Sequence, residues 1–331
     1  MTRTWLALAL TLASPLAGAA EDRPTVLVVA GTAGTPDYGV AFQSWTDGWR
    51  DAARRAGADF VAIGEGPPAT PGSKPDASPS DRDRLRDLLS DRAKANPGGT
   101  LWLVLIGHGS FDGREAKFNL RGPDCTAAEL AAWLKPLAGP VAVLDCTSSS
   151  GPFLNKLSGG NRVVVTATKS GQEQNYARLG QFLAAAWADP HADLDKDGQT
   201  SLLEAFLLAS KQTGDFYKSQ ARLSSEHALI DDNADGKGTP ADWFEGTRLA
   251  RKPKDGVADG RRASQLHLIR NERDRQVPPE VLRRRDELET RVAALRDRKP
   301  ALEESDYYRE LEGLLVQLAQ TYTPTTVGHA Q

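Results

Sequence analysis

The sequence contains very little cysteine and no long uninterrupted apolar segment. Two cysteines among 331 residues are too few for a disulfide scaffold or for a zinc site built from several thiolates. No stretch reaches the roughly 18 uncharged apolar residues that a membrane-spanning helix requires, so we expect no membrane span. The formal net charge of -3 excludes the strongly basic surface of a dedicated nucleic-acid-binding protein. Hydrophobic residues make up 40% of the chain, which is enough for a packed core.

The first 20 residues have the pattern of an export signal. One early basic residue, Arg3, precedes an apolar run at residues 5–12, and small residues occupy positions 17–20. This order is typical of a secretory signal peptide that is cleaved near Ala19 or Ala20. We therefore predict a protein that is periplasmic or secreted. Both cysteines would then lie in an oxidising compartment.

Between residues 21 and 188 the chain alternates between strand-like and helix-like segments. Thr126 and Glu129 form a capping-box pattern, which predicts the start of a helix at Ala127. Strands separated by helices imply right-handed crossovers, so the predicted fold class is α/β, a mostly parallel sheet with helices on both faces. The predicted strands are apolar runs at residues 25–30, 60–63, 101–106, 141–144 and 162–167.

After residue 188 the strand pattern stops. We divide the remainder into a calcium-binding segment, residues 189–250, and a helical region, residues 251–331. Two amphipathic helices are predicted from about residue 279 onward. The Lys299-Pro300 step between them predicts an antiparallel helical hairpin. We interpret this hairpin as a structural appendage in preference to a partner-binding coiled coil, because each helix is short.

An acidic segment that begins at Asp193 matches the twelve-residue pattern of an EF-hand calcium loop at every required position. Its carboxylates would repel one another without a hard cation, so the segment predicts Ca²⁺ as a cofactor. Gly198 stands where the loop makes its sharp turn. The predicted ligands are Asp193, Asp195, Asp197, Gln199 through its backbone carbonyl, Ser201 through a water molecule, and Glu204 as the bidentate closing ligand.

A second, less complete copy of this pattern begins at Asp231. Its candidate ligands are Asp231, Asn233, Asp235 and Asp242. Asp242 stands at the twelfth position, where the longer glutamate side chain is usual. Two interpretations are compatible with this segment, namely a weak second metal site and an Asx-rich turn without a metal.

Two of the predicted strands each end in a residue that can take part in catalysis. His108 follows the third strand and Cys146 follows the fourth, and sites in open α/β sheets gather beyond the carboxyl ends of the strands. If the two strands are neighbours, the imidazole would promote a thiolate that attacks a carbonyl. The backbone N–H groups of Gly109 and Cys146 would then hold the developing oxyanion. The pair therefore predicts a thiol nucleophile that attacks a carbonyl carbon of its substrate.

These segments resemble the caspase-like group of cysteine peptidases, and in particular the legumain-like family. The resemblance covers about residues 25 to 188 and implies a caspase-like sheet, with His108 as the base and Cys146 as the nucleophile. It also implies hydrolysis of a peptide or protein substrate. The arginine with which that family recognises its substrate has no counterpart near Tyr38, so asparaginyl specificity is not implied. The residues that carry the resemblance are His108-Gly109-Ser110, Asp145-Cys146, residues 163–168, and residues 26–31 with Tyr38 just after them.

Two alternatives are open at the nucleophile. In legumain-like enzymes a small residue separates the acid from the cysteine, so an alignment shifted by one residue places Thr147 at the nucleophile position. Cys146 could instead form a disulfide with Cys125 if their Cα atoms lie within about 7 Å. The sequence thus predicts either an exported cysteine endopeptidase with structural calcium, or a catalytically inactive caspase-like protein that serves as a calcium-binding interaction or scaffold protein.

Overall fold

The computed structural model describes residues 23–65, 79–95, 98–251 and 259–322. The predicted signal peptide, residues 1–20, lies outside the described residues. None of the helices in the described ranges has the length and the apolar content needed to cross a membrane.

The described residues form short strands and longer helices in alternation over the first half of the chain. The strands are β1 (Thr25–Ala30), β2 (Asp59–Ile63), β3 (Leu101–Ile106), β4 (Gly109–Phe111), β5 (Ala116–Phe118), β6 (Cys125–Thr126), β7 (Val141–Asp145), β8 (Arg162–Thr166), β9 (Leu229–Asp231), β10 (Thr239–Pro240), β11 (Phe244–Glu245) and β12 (Arg248–Leu249). The helices are α1 (Pro36–Ala56), α2 (Asp81–Ala95), α3 (Ala127–Leu134), α4 (Gly151–Leu157), α5 (Leu179–Ala186), α6 (Leu202–Ser219), α7 (Glu272–Arg275), α8 (Pro279–Arg298) and α9 (Glu304–Gln320).

Seven strands form the central sheet, in the order β10-β9-β8-β7-β3-β1-β2. Strands β1, β2, β3, β7 and β8 are mutually parallel. At one edge of the sheet, β9 pairs antiparallel with β8, and β10 pairs antiparallel with β9. The α/β class with a mostly parallel sheet, which the sequence predicted, is therefore confirmed. The strand pattern was predicted to end at residue 188, but β9 and β10 extend the same sheet with residues 229–240. Each of these strands has only two or three residues, which is too short for a periodic signal.

Side chains of the central strands pack on both faces of the sheet, because successive residues of a strand point to opposite sides. On β3, Trp102, Val104 and Ile106 belong to the core beneath α1, α5 and α6. The intervening leucines of β3 belong to a second core beneath α2, α3 and α4. Burying each such side chain stabilises the fold by about 1.5–3 kcal/mol. The continuous apolar runs of the sequence are thus explained by burial on both faces.

The two C-terminal helices form an antiparallel hairpin with its own small core. Arg298 pairs with Glu310 near the connection, and Arg284 bonds Gln317 farther from it, as an antiparallel arrangement requires. The apolar residues between the helices are Leu288, Val292, Leu295, Tyr307 and Leu314.

A buried ion pair connects this hairpin to the preceding segment. Arg285 on α8 donates to Asp274 on α7 at 2.8 Å, and both side chains are only 7% exposed. Arg285 also lies over the ring of Tyr322, 3.9 Å from its centroid. Burial alone would raise the pKa of Asp274, but the hydrogen bond and the charge of Arg285 outweigh it and hold that pKa below its ordinary value. Arg285 is therefore the main partner that keeps this buried carboxylate charged.

Replacing Arg285 with methionine should lower the free energy of unfolding by about 3 kcal/mol, because Asp274 would be left as an uncompensated buried charge. Urea denaturation followed by circular dichroism measures this loss. The matched control is Arg309→Met, which removes an ion pair with Asp306 whose side chains are 73% and 57% exposed. The control should leave stability almost unchanged. Equal effects of the two substitutions would contradict the role assigned to the buried pair.

Candidate functional site

The predicted catalytic residues follow two neighbouring strands. Strands β3 and β7 pair directly, with Leu105 opposite Asp145. His108 and Cys146 therefore both lie beyond the carboxyl edge of adjacent parallel strands, where sites of α/β proteins gather. What the arrangement can do depends on where each side chain points.

The His108 ring is half-buried against aromatic side chains of α1 and of the segment before α5. Its centroid lies 5.0 Å from that of Tyr38, 5.5 Å from Phe42 and 6.0 Å from Tyr176. Its Nε2 atom is 3.2 Å from the carbonyl oxygen of Ala33. Because a carbonyl oxygen only accepts, Nε2 carries the hydrogen in this contact. Nδ1 is then the nitrogen that is left to act as a base.

The Cys146 thiol is buried in the core and not at the surface. The residue has 0% exposure and belongs to the apolar cluster beneath α1 and α5. A Cβ atom added to Gly180 of α5 would lie 2.8 Å from the Cys146 Cβ and 2.9 Å from the Trp45 ring. Burial, reinforced by the negative charges of Asp145 and Glu226, raises the pKa of the thiol well above its ordinary value. Within the described residues, its Sγ atom contacts the Leu144 carbonyl oxygen at 3.7 Å, and no hydrogen bond joins it to His108.

Thr147, the alternative at the nucleophile position, lies close to Gly109, the residue after His108. A Cβ atom on Gly109 would lie 3.0 Å from the Thr147 hydroxyl. That hydroxyl donates to Asp145 at 2.6 Å and is fully buried. Burial raises the pKa of Asp145 to about 7, although the hydrogen bonds from Thr147 oppose the shift. Thr147 is therefore paired with a carboxyl group and not with an imidazole.

The two backbone amides predicted to form an oxyanion hole are used within the fold. The Gly109 N–H donates to the Ser148 hydroxyl at 3.1 Å, and that hydroxyl donates back to the Gly109 carbonyl at 3.1 Å. The Cys146 N–H donates to the Leu105 carbonyl at 3.0 Å, continuing the sheet ladder. Neither amide is directed at a place where a substrate oxygen could sit.

A disulfide between the two cysteines is absent. Cys125 and Cys146 are both free and buried. Cys125 lies in the core beneath α2, α3 and α4, whereas Cys146 lies in the core on the other face of the sheet. Burial raises the pKa of the Cys125 thiol to about 12. The disulfide alternative is therefore wrong for this structure, because the sheet separates the two sulfur atoms.

The first acidic loop brings three carboxylates together. Asp193, Asp195 and Asp197 each offer an oxygen atom, and these atoms lie within 4.8 Å of one another. Asp193 Oδ2 accepts from the Gly198 N–H at 3.2 Å, while its Oδ1 is buried without a hydrogen-bond partner. Gly198 has a φ of +87°, which a residue with a side chain rarely adopts. Burial, with the charges of Glu204 and Asp197, raises the pKa of Asp195. These oxygens have the chemistry and the crowding of a hard-cation site.

Glu204, the predicted closing ligand, caps helix α6. Its Oε2 accepts from the N–H and the hydroxyl of Ser201, both at 2.8 Å, in a capping box. Its Oε1 accepts from the N–H groups of Leu194 at 2.8 Å and Asp195 at 3.2 Å. Glu204 thus fastens the start of the acidic loop to the helix, and it is not among the three residues whose oxygens lie together.

The acidic loop also contacts the helical region, which the sequence pattern did not indicate. The Gln199 side chain donates to Asp274 at 3.2 Å and accepts from the Asn271 N–H at 3.2 Å. The Asn271 amide donates to the Asp197 carbonyl at 3.2 Å. Asn271 could be recognised as a helix cap, but these partners lie more than 70 positions away in the chain, so no local pattern reveals them. Through Asp274 and Arg285, the acidic loop is joined to the hairpin.

The four candidate ligands of the second acidic segment do not all lie together. Asp231 is the last residue of β9, and Asn233 and Asp235 lie in the turn that follows it. Asp242 lies in a 3₁₀ turn, is exposed and pairs with Arg251 at 3.2 Å. The first three residues are therefore neighbours at one turn, whereas Asp242 is engaged elsewhere.

A cleft of about 890 Å³ lies beside His108, at the carboxyl end of β1. Residues 31–36, Phe42 and Arg121 contribute to its walls. Ala33 forms part of the wall and also receives the His108 contact. Most of its wall comes from residues 30–47, and Gly64 and Arg121 complete it from more distant parts of the chain.

Comparison with known proteins yields similarities of fold only. No family model matches the sequence, and no curated protein matches it. The structure is similar to that of the initiator caspase Dronc of Drosophila, with 15% identity and a TM-score of 0.43 over 66% of this chain and 82% of that chain. It is also similar to caspase-1 from Spodoptera frugiperda, with 9% identity and a TM-score of 0.41 over 64% of this chain and 86% of that chain. We draw no conclusion about activity from similarity at this level.

Both thiols should resist alkylation in the folded protein at pH 7 to 8. A pKa of about 12 for Cys125 lowers its thiolate fraction roughly a thousand-fold relative to an ordinary cysteine, and the raised pKa of Cys146 acts in the same direction. Mass spectrometry after treatment with iodoacetamide should show no adduct on the native protein and two adducts in denaturant. Selective labelling of Cys146 below pH 7 would contradict this prediction.

Proposed function

We propose that this chain is an exported calcium-binding protein that uses a caspase-like fold as a non-catalytic interaction or scaffold protein. The buried position of Cys146 is the main argument against catalysis by its thiol. Its side chain is fully buried in the core that also holds Trp45, Gly180 of α5 packs against its Cβ atom, and its pKa is raised. Within the described part of the chain, no hydrogen bond joins it to His108. A thiol nucleophile needs the opposite environment, with solvent access and a neighbouring base.

Calcium binding is supported by the three clustered carboxylates and by the buried, unpartnered Oδ1 atom of Asp193. A buried carboxylate oxygen without a partner is costly, and a divalent cation would satisfy it. Asp193, Asp195 and Asp197 would hold the ion, with the Gln199 carbonyl as a further ligand. When bound, Ca²⁺ supplies charge neutralisation and order to this loop, and it takes no part in a chemical reaction.

The contacts of the loop suggest what calcium would stabilise. Glu204 holds the loop to α6, and Gln199 holds it to the segment that carries Asp274. Neutralising the carboxylates would fix the loop between these two elements. The ion would thus secure the hairpin on the α/β domain. A weak affinity, about 10⁻⁴ to 10⁻³ M, is sufficient for proteins outside the cytoplasm, which agrees with the proposed export.

A cysteine endopeptidase is the competing candidate. The adjacency of β3 and β7 favours it, because this places His108 and Cys146 beyond neighbouring strands. Hydrolysis would require the Cys146 side chain to leave the core between α5 and the sheet, and the Gly109 amide to release Ser148. The geometry therefore supports the scaffold function better.

Adding Ca²⁺ should raise the melting temperature by several degrees, because a ligand at 100 times its Kd stabilises the folded state by about 2.7 kcal/mol. The rise should become smaller in Asp195→Asn, which keeps the shape of the side chain but removes one charge from this site. Differential scanning calorimetry measures the shift. Asp112→Asn is the matched control, since Asp112 also accepts backbone N–H groups in an exposed turn. A calcium-dependent rise that is as large in Asp195→Asn as in the wild type would contradict the proposed site.

Peptide hydrolysis should be absent with and without Ca²⁺. A fluorogenic peptide library should show the same background for the wild type, for Cys146→Ala and for Cys125→Ala. Cys125→Ala is the matched control, because it removes the other buried thiol, on the opposite face of the sheet. Hydrolysis that is lost only in Cys146→Ala would overturn the scaffold proposal in favour of the peptidase.

A further inference from the structure

The turn after β9 repeats the backbone of the first acidic loop. Ala234 and Gly236 have φ values of +69° and +71°, and the equivalent residues of the first loop, Lys196 and Gly198, have +64° and +87°. A positive φ at alanine is unfavourable, so this conformation is imposed by its surroundings.

The side-chain hydrogen bonds of the two loops also correspond. In the second loop, Asn233 accepts from the Asp235 N–H at 2.8 Å, and Asp235 accepts from the Lys237 N–H at 2.7 Å. In the first loop, Asp195 accepts from the Asp197 N–H at 3.2 Å, and Asp197 accepts from the Gln199 N–H at 2.9 Å. Side chains at the third and fifth positions are therefore held in the same way in both loops.

The first position of each loop carries a carboxylate oxygen that lacks a partner. Asp231 is 1% exposed; its Oδ1 accepts from the Ala234 N–H at 3.2 Å, and its Oδ2 is buried without a hydrogen bond of normal geometry. The Ser158 hydroxyl lies near this carboxylate and accepts from the Gly236 N–H at 3.1 Å. The hydrogen bond from Ala234 to Oδ1 fixes the Asp231 carboxylate, so its Oδ2 atom also stays beside the turn. Asp193 shows the same division between a bonded and an unpartnered oxygen.

We propose that residues 231–237 bind a second Ca²⁺ ion, through side-chain oxygens of Asp231, Asn233 and Asp235 and the main-chain carbonyl of Lys237. Carboxylate, amide and carbonyl oxygens are the ligands that Ca²⁺ prefers. With two carboxylates against the three of the first site, this site takes water as its remaining ligands and is weaker than the first. This site extends the proposed calcium-binding function, and it does not require that the first site be occupied.

The neighbouring acids are excluded from this ligand set by their contacts. Asp232 accepts from the N–H groups of Gly260 and Ala263. Asp259 accepts from the Asp232 and Asn233 N–H groups and from the Thr239 hydroxyl. Both carboxylates serve the fold. Asp242, which the sequence placed at the twelfth position, is exposed and paired with Arg251, so we leave it out of the site.

Equilibrium dialysis with ⁴⁵Ca²⁺ on the full mature chain tests this proposal. The wild type should bind two ions, Asp235→Asn one, and Asp195→Asn one. Asp235 is exposed, and asparagine can still accept from the Lys237 N–H, so the substitution should preserve the turn; circular dichroism verifies the fold. Asp242→Asn is the matched control and should still bind two ions.

The outcomes separate the two sites. If Asp235→Asn binds as many ions as the wild type, the second site is wrong, whether or not Asp195→Asn loses an ion. If Asp235→Asn loses one ion while Asp195→Asn loses none, the second site stands and the first is wrong. If Asp242→Asn also loses an ion, the ligand set proposed for residues 231–237 is overturned.

Discussion

The alternation of side chains along a strand is the constraint on which the rest of this structure depends. On β7, Ala142 and Leu144 face the core beneath α1 and α5, and Cys146 continues the same series just past the end of the strand. Since the period is two, a one-residue shift moves a side chain to the other face. Cys146 is therefore directed into the core, whereas Thr147 approaches the segment that follows His108. The register of β7 decides the chemistry available at its end.

Much of the architecture could be predicted because its signals are local. Continuous apolar runs indicated the parallel strands, since both faces of the sheet are covered. The Thr126–Glu129 capping box was predicted from spacing alone, and it is confirmed at the start of α3. The first acidic loop was recognisable for the same reason, since its residues are consecutive in the chain. The adjacency of β3 and β7, on which the predicted dyad depended, is not a local signal and required the structure.

The state of the candidate site could not be predicted, because it depends on residues that are distant in sequence. Gly180 packs against the Cβ atom of Cys146, and Trp45 belongs to the same core. Neither residue belongs to a motif that involves Cys146. The Gly109 N–H donates to the Ser148 hydroxyl, which lies 39 positions away in the chain. Likewise, β9 and β10 join the sheet through pairing with β8 and not through a pattern of their own. Tertiary contacts, which no spacing rule contains, decide whether a plausible dyad is accessible.

The position of Gln199 has a mechanical consequence. This residue belongs to the acidic loop, yet its side chain holds Asn271 and Asp274, and Asp274 in turn holds Arg285 of the hairpin. A pulling force applied to the C-terminal helices would travel along this series of polar contacts to the loop. If Ca²⁺ binds there as proposed, it would stiffen this attachment, and by reciprocity tension on the hairpin would weaken its binding.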